Sequence, residues 1–128
     1  MPWPPGGGTD VVARTVAQKM TETLGQTMIV DNRAGANGII GNEMGVRAVP
    51  DGHTLLANSL SIAINPGLYK LDYDVVRDLA GITQLGSVEM LMGVYTQLPV
   101  KTVADLIALA KAQPGKLNYA SFGHGSIA

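Results

Sequence analysis

Glycine and proline set the limits on this chain. Its 16 Gly and 7 Pro fall between short apolar runs. Residues that break helices or turn the backbone at such intervals cap the length of every element. The longest uninterrupted pattern predicts a helix from about Asp10 to Leu24. Val12, Val16, Met20 and Leu24 recur every four residues, Ala13 and Ala17 lie beside them, and Arg14, Gln18, Lys19 and Glu22 fall elsewhere. Thr9 or Asp10 can cap its start, and Gly25 supplies a left-handed stop.

Beyond Gly25 the pattern alternates. Strands are expected at Thr27–Val30, His53–Asn58, Ala80–Leu85, Val88–Tyr95 and Leu117–Ser121. A second helix with a small-residue face is expected over Ile39–Val49, and a single helical turn over Val75–Leu79. Asn65-Pro66-Gly67 reads as a turn that denies any long element between Leu60 and Leu68. The clearest helix follows Leu98-Pro99-Val100. There Thr102-Val103-Ala104-Asp105 resembles a capping box with Asp for Glu, and Val103, Leu106, Ile107 and Ala110 form an apolar stripe. Strands alternating with helices across short loops predict an α/β fold with a mainly parallel sheet.

Composition narrows the function classes. The 128 residues, the size of one domain or one lobe, carry 9 Lys plus Arg against 10 Asp plus Glu, a net charge of −1. No cationic cluster exists to displace counterions, so no nucleic acid partner is expected. Absence of cysteine excludes disulfides, thiolate metal sites and a Cys nucleophile. No run reaches the roughly 18 apolar residues of a membrane span. The opening Met1-Pro2-Trp3-Pro4-Pro5 has neither the basic nor the apolar region of a secretory signal.

Candidate catalytic residues are few. His53 and His124 are the two histidines, and their spacing matches no metal motif, so no metal site and no cofactor is expected. His53, after a Pro-Asp-Gly turn, reads as a solvated histidine. Ser59, Ser61, Ser121 and Ser126 lack the Gly-x-Ser-x-Gly elbow. Three glycine-rich loops precede expected helices: Gly6-Gly7-Gly8-Thr9, Gly35-Ala36-Asn37-Gly38 and Gly123-His124-Gly125-Ser126. Unpaired N–H groups and a partial positive charge at a helix start can hold an anion without a cationic side chain. None is a Walker loop or a dinucleotide fingerprint, and each can equally serve only to turn the chain.

Taken in order, several motifs resemble the tripartite tricarboxylate transporter substrate-binding family, the Bug or TctC-type receptors. They are Pro2-Trp3-Pro4-Pro5-Gly6-Gly7-Gly8-Thr9-Asp10, Asp31-Asn32-Arg33-Ala34-Gly35-Ala36-Asn37-Gly38, Pro50-Asp51-Gly52-His53-Thr54-Leu55-Leu56, Asn65-Pro66, Ala110 through Tyr119, and Ser121-Phe122-Gly123-His124-Gly125-Ser126. The resemblance implies one lobe of a type II periplasmic-binding-protein fold. Residues 1–116 would be an incomplete first lobe and residues 117–128 the hinge and start of the second, with the first strand and most of the second lobe missing. It implies no enzymatic activity, but periplasmic capture of a small carboxylate, such as a di- or tricarboxylate or acidic amino acid, and delivery to membrane permease subunits. Carried over residue by residue, the ligand contacts would be Trp3, Pro5, Gly6, Gly7, Gly8, Thr9, Asp10, Ser59, Ser121, Gly123, His124, Gly125 and Ser126. Asp10, itself an anion, is assigned to capping and to orienting water or an amine. Unpaired strand edges would favour a homo-oligomer or swapped dimer. Two other readings compete. One is an enzyme domain binding a phosphorylated or anionic substrate through a glycine loop, with His124 as base. The other is a ligand-sensing lobe of a transcription regulator, which would need a helix-turn-helix module.

Overall fold

Helix α1, Gly8–Leu24, is the longest element of the computed structural model, which describes residues 1–121. The helix begins two residues before the expected Asp10. Its N-cap is Gly7, with extended backbone (φ −73°, ψ 163°) and no side-chain cap. Neither Thr9 nor Asp10 caps it, because both already lie inside the first turn. The far end is as expected: Gly25 takes φ 65° and its N–H donates to Thr21 O at 3.0 Å. The buried face centres on Ala13 and Ala17, whereas Val12, Val16 and Met20 are half-buried and Leu24 is exposed.

A 3-10 turn, Ala36–Gly38, leads into α2, Ile39–Val46, which stops three residues short of the expected Val49. Ala36 and Asn37 both adopt positive φ (46° and 53°), a conformation non-glycine residues rarely hold without support. Asn37 is held by Asn65. Its Nδ2 donates to Asn65 Oδ1 at 2.8 Å, and Asn65 Nδ2 donates back to Asn37 O at 3.1 Å. Asn65 belongs to α3, Ser61–Leu68, which runs through Pro66. The expected turn there is therefore two turns of helix. In so short a helix Pro66 forgoes a single i−4 bond, and fully buried Asn65 ties the segment to the 3-10 turn.

Close backbone contact fixes the N-terminal segment on α2. A Cβ on Gly41 would lie 2.6 Å from Pro2 Cα and 2.7 Å from Arg33 O, and one on Gly38 3.4 Å from the Trp3 ring. Further buried amides extend this packing. Asn42 Nδ2 donates to Tyr73 Oη at 3.2 Å, and Asn42 Oδ1 accepts from Asn58 Nδ2. Helix α4, Val75–Asp78, is the expected single turn, capped by Asp74, which accepts from Val76 N and Arg77 N.

The chain divides into two compact units, Met1–Val88 and one that begins at Glu89. The second carries α5, Val103–Ala112, with the expected capping box. Asp105 N donates to Thr102 Oγ1 at 3.1 Å, and Thr102 N donates to Asp105 Oδ2 at 2.9 Å. Val103 and Ile107 of its expected stripe are exposed, and Leu106 is half-buried.

No strand forms among the described residues, so the expected parallel sheet is not seen in them. The five expected strand segments contain no helix, but they lack the ladder that makes an extended chain a strand. One backbone bond, Arg33 N–H to Met1 O at 2.7 Å, joins two non-helical stretches without continuing into a ladder. The His53–Asn58 segment is also not buried as expected: residues 53–55 are exposed and 56–58 half-buried. No described helix is long and apolar enough to cross a membrane.

Candidate functional site

Asp10 organises the start of α1. At the third helical position its side chain turns back, and Oδ2 accepts the Gly6 N–H at 2.9 Å. The same oxygen accepts from Arg14 Nε at 2.9 Å, one helical turn on. Oδ1 accepts from Asn32 Nδ2 at 2.8 Å. Asp10 is 2% exposed, and a charge so placed needs partners that favour its ionised form. Hydrogen bonding from Arg14, then from Asn32 and from the Gly6 amide, holds Asp10 well below the usual carboxylate range. Asp10 therefore acts within the protein, with both oxygens engaged.

Around it the loop stays open. Pro4, Pro5 and Gly6 through Gly8 are exposed, and Thr9 is half-buried. Gly6 has φ 83° and so favours glycine for its backbone. Gly8 does not: it is helical, and a Cβ built on it would meet nothing within 4 Å. The first intrahelical bond is Val11 N to Gly7 O, at 3.0 Å. Ahead of it the N–H groups of Gly8 and Thr9 have no helical partner, as at any helix start, and no side chain among the described residues caps them. Trp3 Nε1 is buried and has no hydrogen-bond partner among the described residues.

The structure thus brings Trp3, Pro5, Gly6, Gly7, Gly8, Thr9 and Asp10 into one loop and helix start, with the Gly6 amide already occupied. Ser59 lies in the same unit, half-buried. Its N–H donates to Asn58 Oδ1 at 2.8 Å and its hydroxyl to Ser61 Oγ at 3.4 Å. Ser121 is exposed. Gly123, His124, Gly125 and Ser126 lie outside the described residues. The second glycine loop, Gly35 through Gly38, is a packing element, since Gly38 lies against Trp3 and Pro2. His53 is solvated as expected, its side chain 88% exposed beside Asp51.

Sequence reasoning missed Asn32 and the guanidinium of Arg14. Arg14 Nη2 donates to Asn32 Oδ1 at 2.7 Å, and Asn32 Nδ2 also donates to Trp3 O at 2.9 Å. The i, i+4 spacing of Asp10 and Arg14 was a local signal for part of this group. Asn32, 22 residues from Asp10, offered none beyond its place in the Asp-Asn-Arg motif. Among the described residues no three His, Cys, Asp or Glu side chains gather to hold a metal ion.

Comparison with known proteins decides the family. The model of the tripartite tricarboxylate transporter family receptor, TctC, matches residues 12–128. The chain belongs to this family. Receptors of the TctC family have a periplasmic-binding-protein fold. Similar relatives include protein BugT of Bordetella pertussis, 38% identical over 131 residues, which covers 100% of this chain and 40% of the relative. A UPF0065 protein of the tcbD-tcbE intergenic region in a Pseudomonas species is 36% identical, covering 98% of this chain and 38% of its own length. Another, from the gbd 5′ region of Cupriavidus necator, is 38% identical, covering 92% and 36%. The chain therefore spans about two fifths of the length of these TctC-type relatives.

Proposed function

We propose that this chain serves in an extracytoplasmic, periplasmic receptor that captures a small carboxylate and passes it to the membrane permease subunits of a tripartite tricarboxylate-type transporter. The solute carboxylate would sit at the start of α1, on the N–H groups of Gly8 and Thr9, with Pro5 and Trp3 as a wall. Ser59 would contribute from the same lobe, and Ser121, Gly123, His124, Gly125 and Ser126 from the other. Residues 1–116 would belong to the first lobe and 117–128 to the hinge and the second. Membership of a receptor family supports this reading. No observation at the loop favours the enzyme alternative.

The observation that carries the proposal is Gly8. Neither its backbone angles nor its surroundings require glycine, a residue that costs a helix interior about 1 kcal/mol relative to alanine and has no side chain to favour it over alanine at the first helical position. Glycine at this exposed position leaves room for a ligand to reach the amides closely. Gly8→Ala is the test. It should raise the thermal midpoint, by about 0.4–1 kcal/mol of stability. It should also weaken, at least about tenfold, the binding of whichever of succinate, citrate, glutamate or aspartate calorimetry shows the unaltered protein to take. A variant that is stabilised yet binds equally well would remove the helix start from the site. Binding of a neutral sugar in place of every acid would end the carboxylate reading.

A further inference from the structure

We infer that Asn32 is a positioning residue of the solute site, fixing the Trp3–Gly8 loop by joining Trp3 O, Asp10 and Arg14 in one hydrogen-bonded group. This rests on the receptor reading above and adds to it a residue that touches no solute. The geometry uses Asn32 almost to its capacity. Its Nδ2 donates to Trp3 O at 2.9 Å and to Asp10 Oδ1 at 2.8 Å, while its Oδ1 accepts from Arg14 Nη2 at 2.7 Å. The carboxylate so held then takes the Gly6 N–H at 2.9 Å.

A carboxamide is the side chain that this position demands. Two donors are needed for two acceptors, and an acceptor for the guanidinium. Aspartate would set a second carboxylate against Asp10 and leave Trp3 O without its donor. Alanine would deprive buried Asp10 of one partner and loosen the tie between the loop and the rest of the unit. The chain spans 29 residues between Trp3 and Asn32, so this tie forms only in the folded protein and orders the loop before any ligand arrives. A loop ordered in advance saves that ordering cost at binding, where it would otherwise weaken affinity.

The tie has its own spectroscopic reporter, the Gly6 amide, which donates to a charged group in a charge-assisted bond of 2.9 Å. In the 15N-labelled protein this amide should be displaced downfield and protected from exchange. Its shift should stay constant until the pH falls well below the ordinary carboxylate range, because Arg14, Asn32 and Gly6 all favour ionised Asp10. In Asn32→Ala, and independently in Arg14→Gln, it should move upfield and exchange at least about tenfold faster, and its titration should move towards ordinary aspartate. Calorimetry with succinate, citrate, glutamate and aspartate should show about tenfold weaker binding in Asn32→Ala. A Gly6 amide unchanged in Asn32→Ala overturns the proposal. So does an amide set free while affinity stays within about twofold. If the unaltered protein takes none of the four acids, the carboxylate reading falls, and with it any part for Asn32 in solute affinity. The amide still decides separately whether Asn32 holds the loop.

Discussion

Asp10 illustrates how one residue can be read correctly as important and wrongly as to its task. Aspartate at a helix start suggests a cap, yet here Gly7 is the cap and the carboxylate serves the loop before it. Its folded-state pKa lies below the unfolded value near 3.8. The stability it contributes is therefore complete above pH ~4 and is lost as acid approaches the depressed folded value. The thermal midpoint should accordingly fall between pH 7 and pH 3. In Asp10→Asn it should start lower at pH 7 but fall less, as followed by circular dichroism at both pH values. An equal fall in both proteins would show that other carboxylates, such as Asp78, which Arg77 pulls down to about 2, dominate the acid response. Gly41 makes a second residue-level case. A methyl group there would meet the backbone of Pro2 and Arg33 at under 3 Å, whereas at Gly45 it would meet only the Leu56 side chain, at 3.0 Å. Gly41→Ala should cost about 1–3 kcal/mol or more in denaturant unfolding and Gly45→Ala clearly less, since a side chain can yield where a backbone cannot.

Elements whose reasons are local were legible in the sequence. Helix α5 shows this best, because Thr102 and Asp105 close a capping box on each other within four residues. Thr102→Ala should lower the helical signal and cost about 1 kcal/mol, measured by denaturant titration. Retention of full stability would mean that the box is only geometry. The left-handed stop at Gly25 and the single turn at Val75–Asp78 were legible for the same reason, although the Asp74 cap of that turn was not read. Helix α3 was not, since buried Asn65 is paired with half-buried Asn37, 28 residues away, and this holds the helix together through Pro66. The expected strands were read from β-branched and apolar residues alone. A strand also needs a partner to bond with, which no local pattern supplies, and their segments form neither helix nor ladder. The site divides likewise. Its glycine loop before a helix was visible as a motif, whereas the Asn32 tie that shapes it joins positions far apart in sequence.

At the scale of the whole chain, polar groups carry much of the buried packing. Among the described residues Asn42, Asn65, Ser61 and Asp10 are buried, as are the apolar side chains of Pro2, Ala13, Ala17 and Tyr73. Apolar side chains are left facing solvent instead, most of all along residues 80–95, where Ile82 is 77% exposed and Leu91 92%. Backbone that lies outside any helix, has no ladder partners and is flanked by exposed apolar groups is open to pairing with another chain. The 128-residue chain should therefore self-associate at micromolar to millimolar concentration. Sedimentation velocity should show a mass average that rises with loading. Ile82→Lys combined with Leu91→Lys should move it towards the monomer, because a charge at each site opposes stacking of like strands. No contact in the described residues buries either side chain, so the substitutions should change the thermal midpoint little. A chain that stays monomeric across that range, or a double variant that associates as strongly as the original, would show that these apolar side chains are not what drives association.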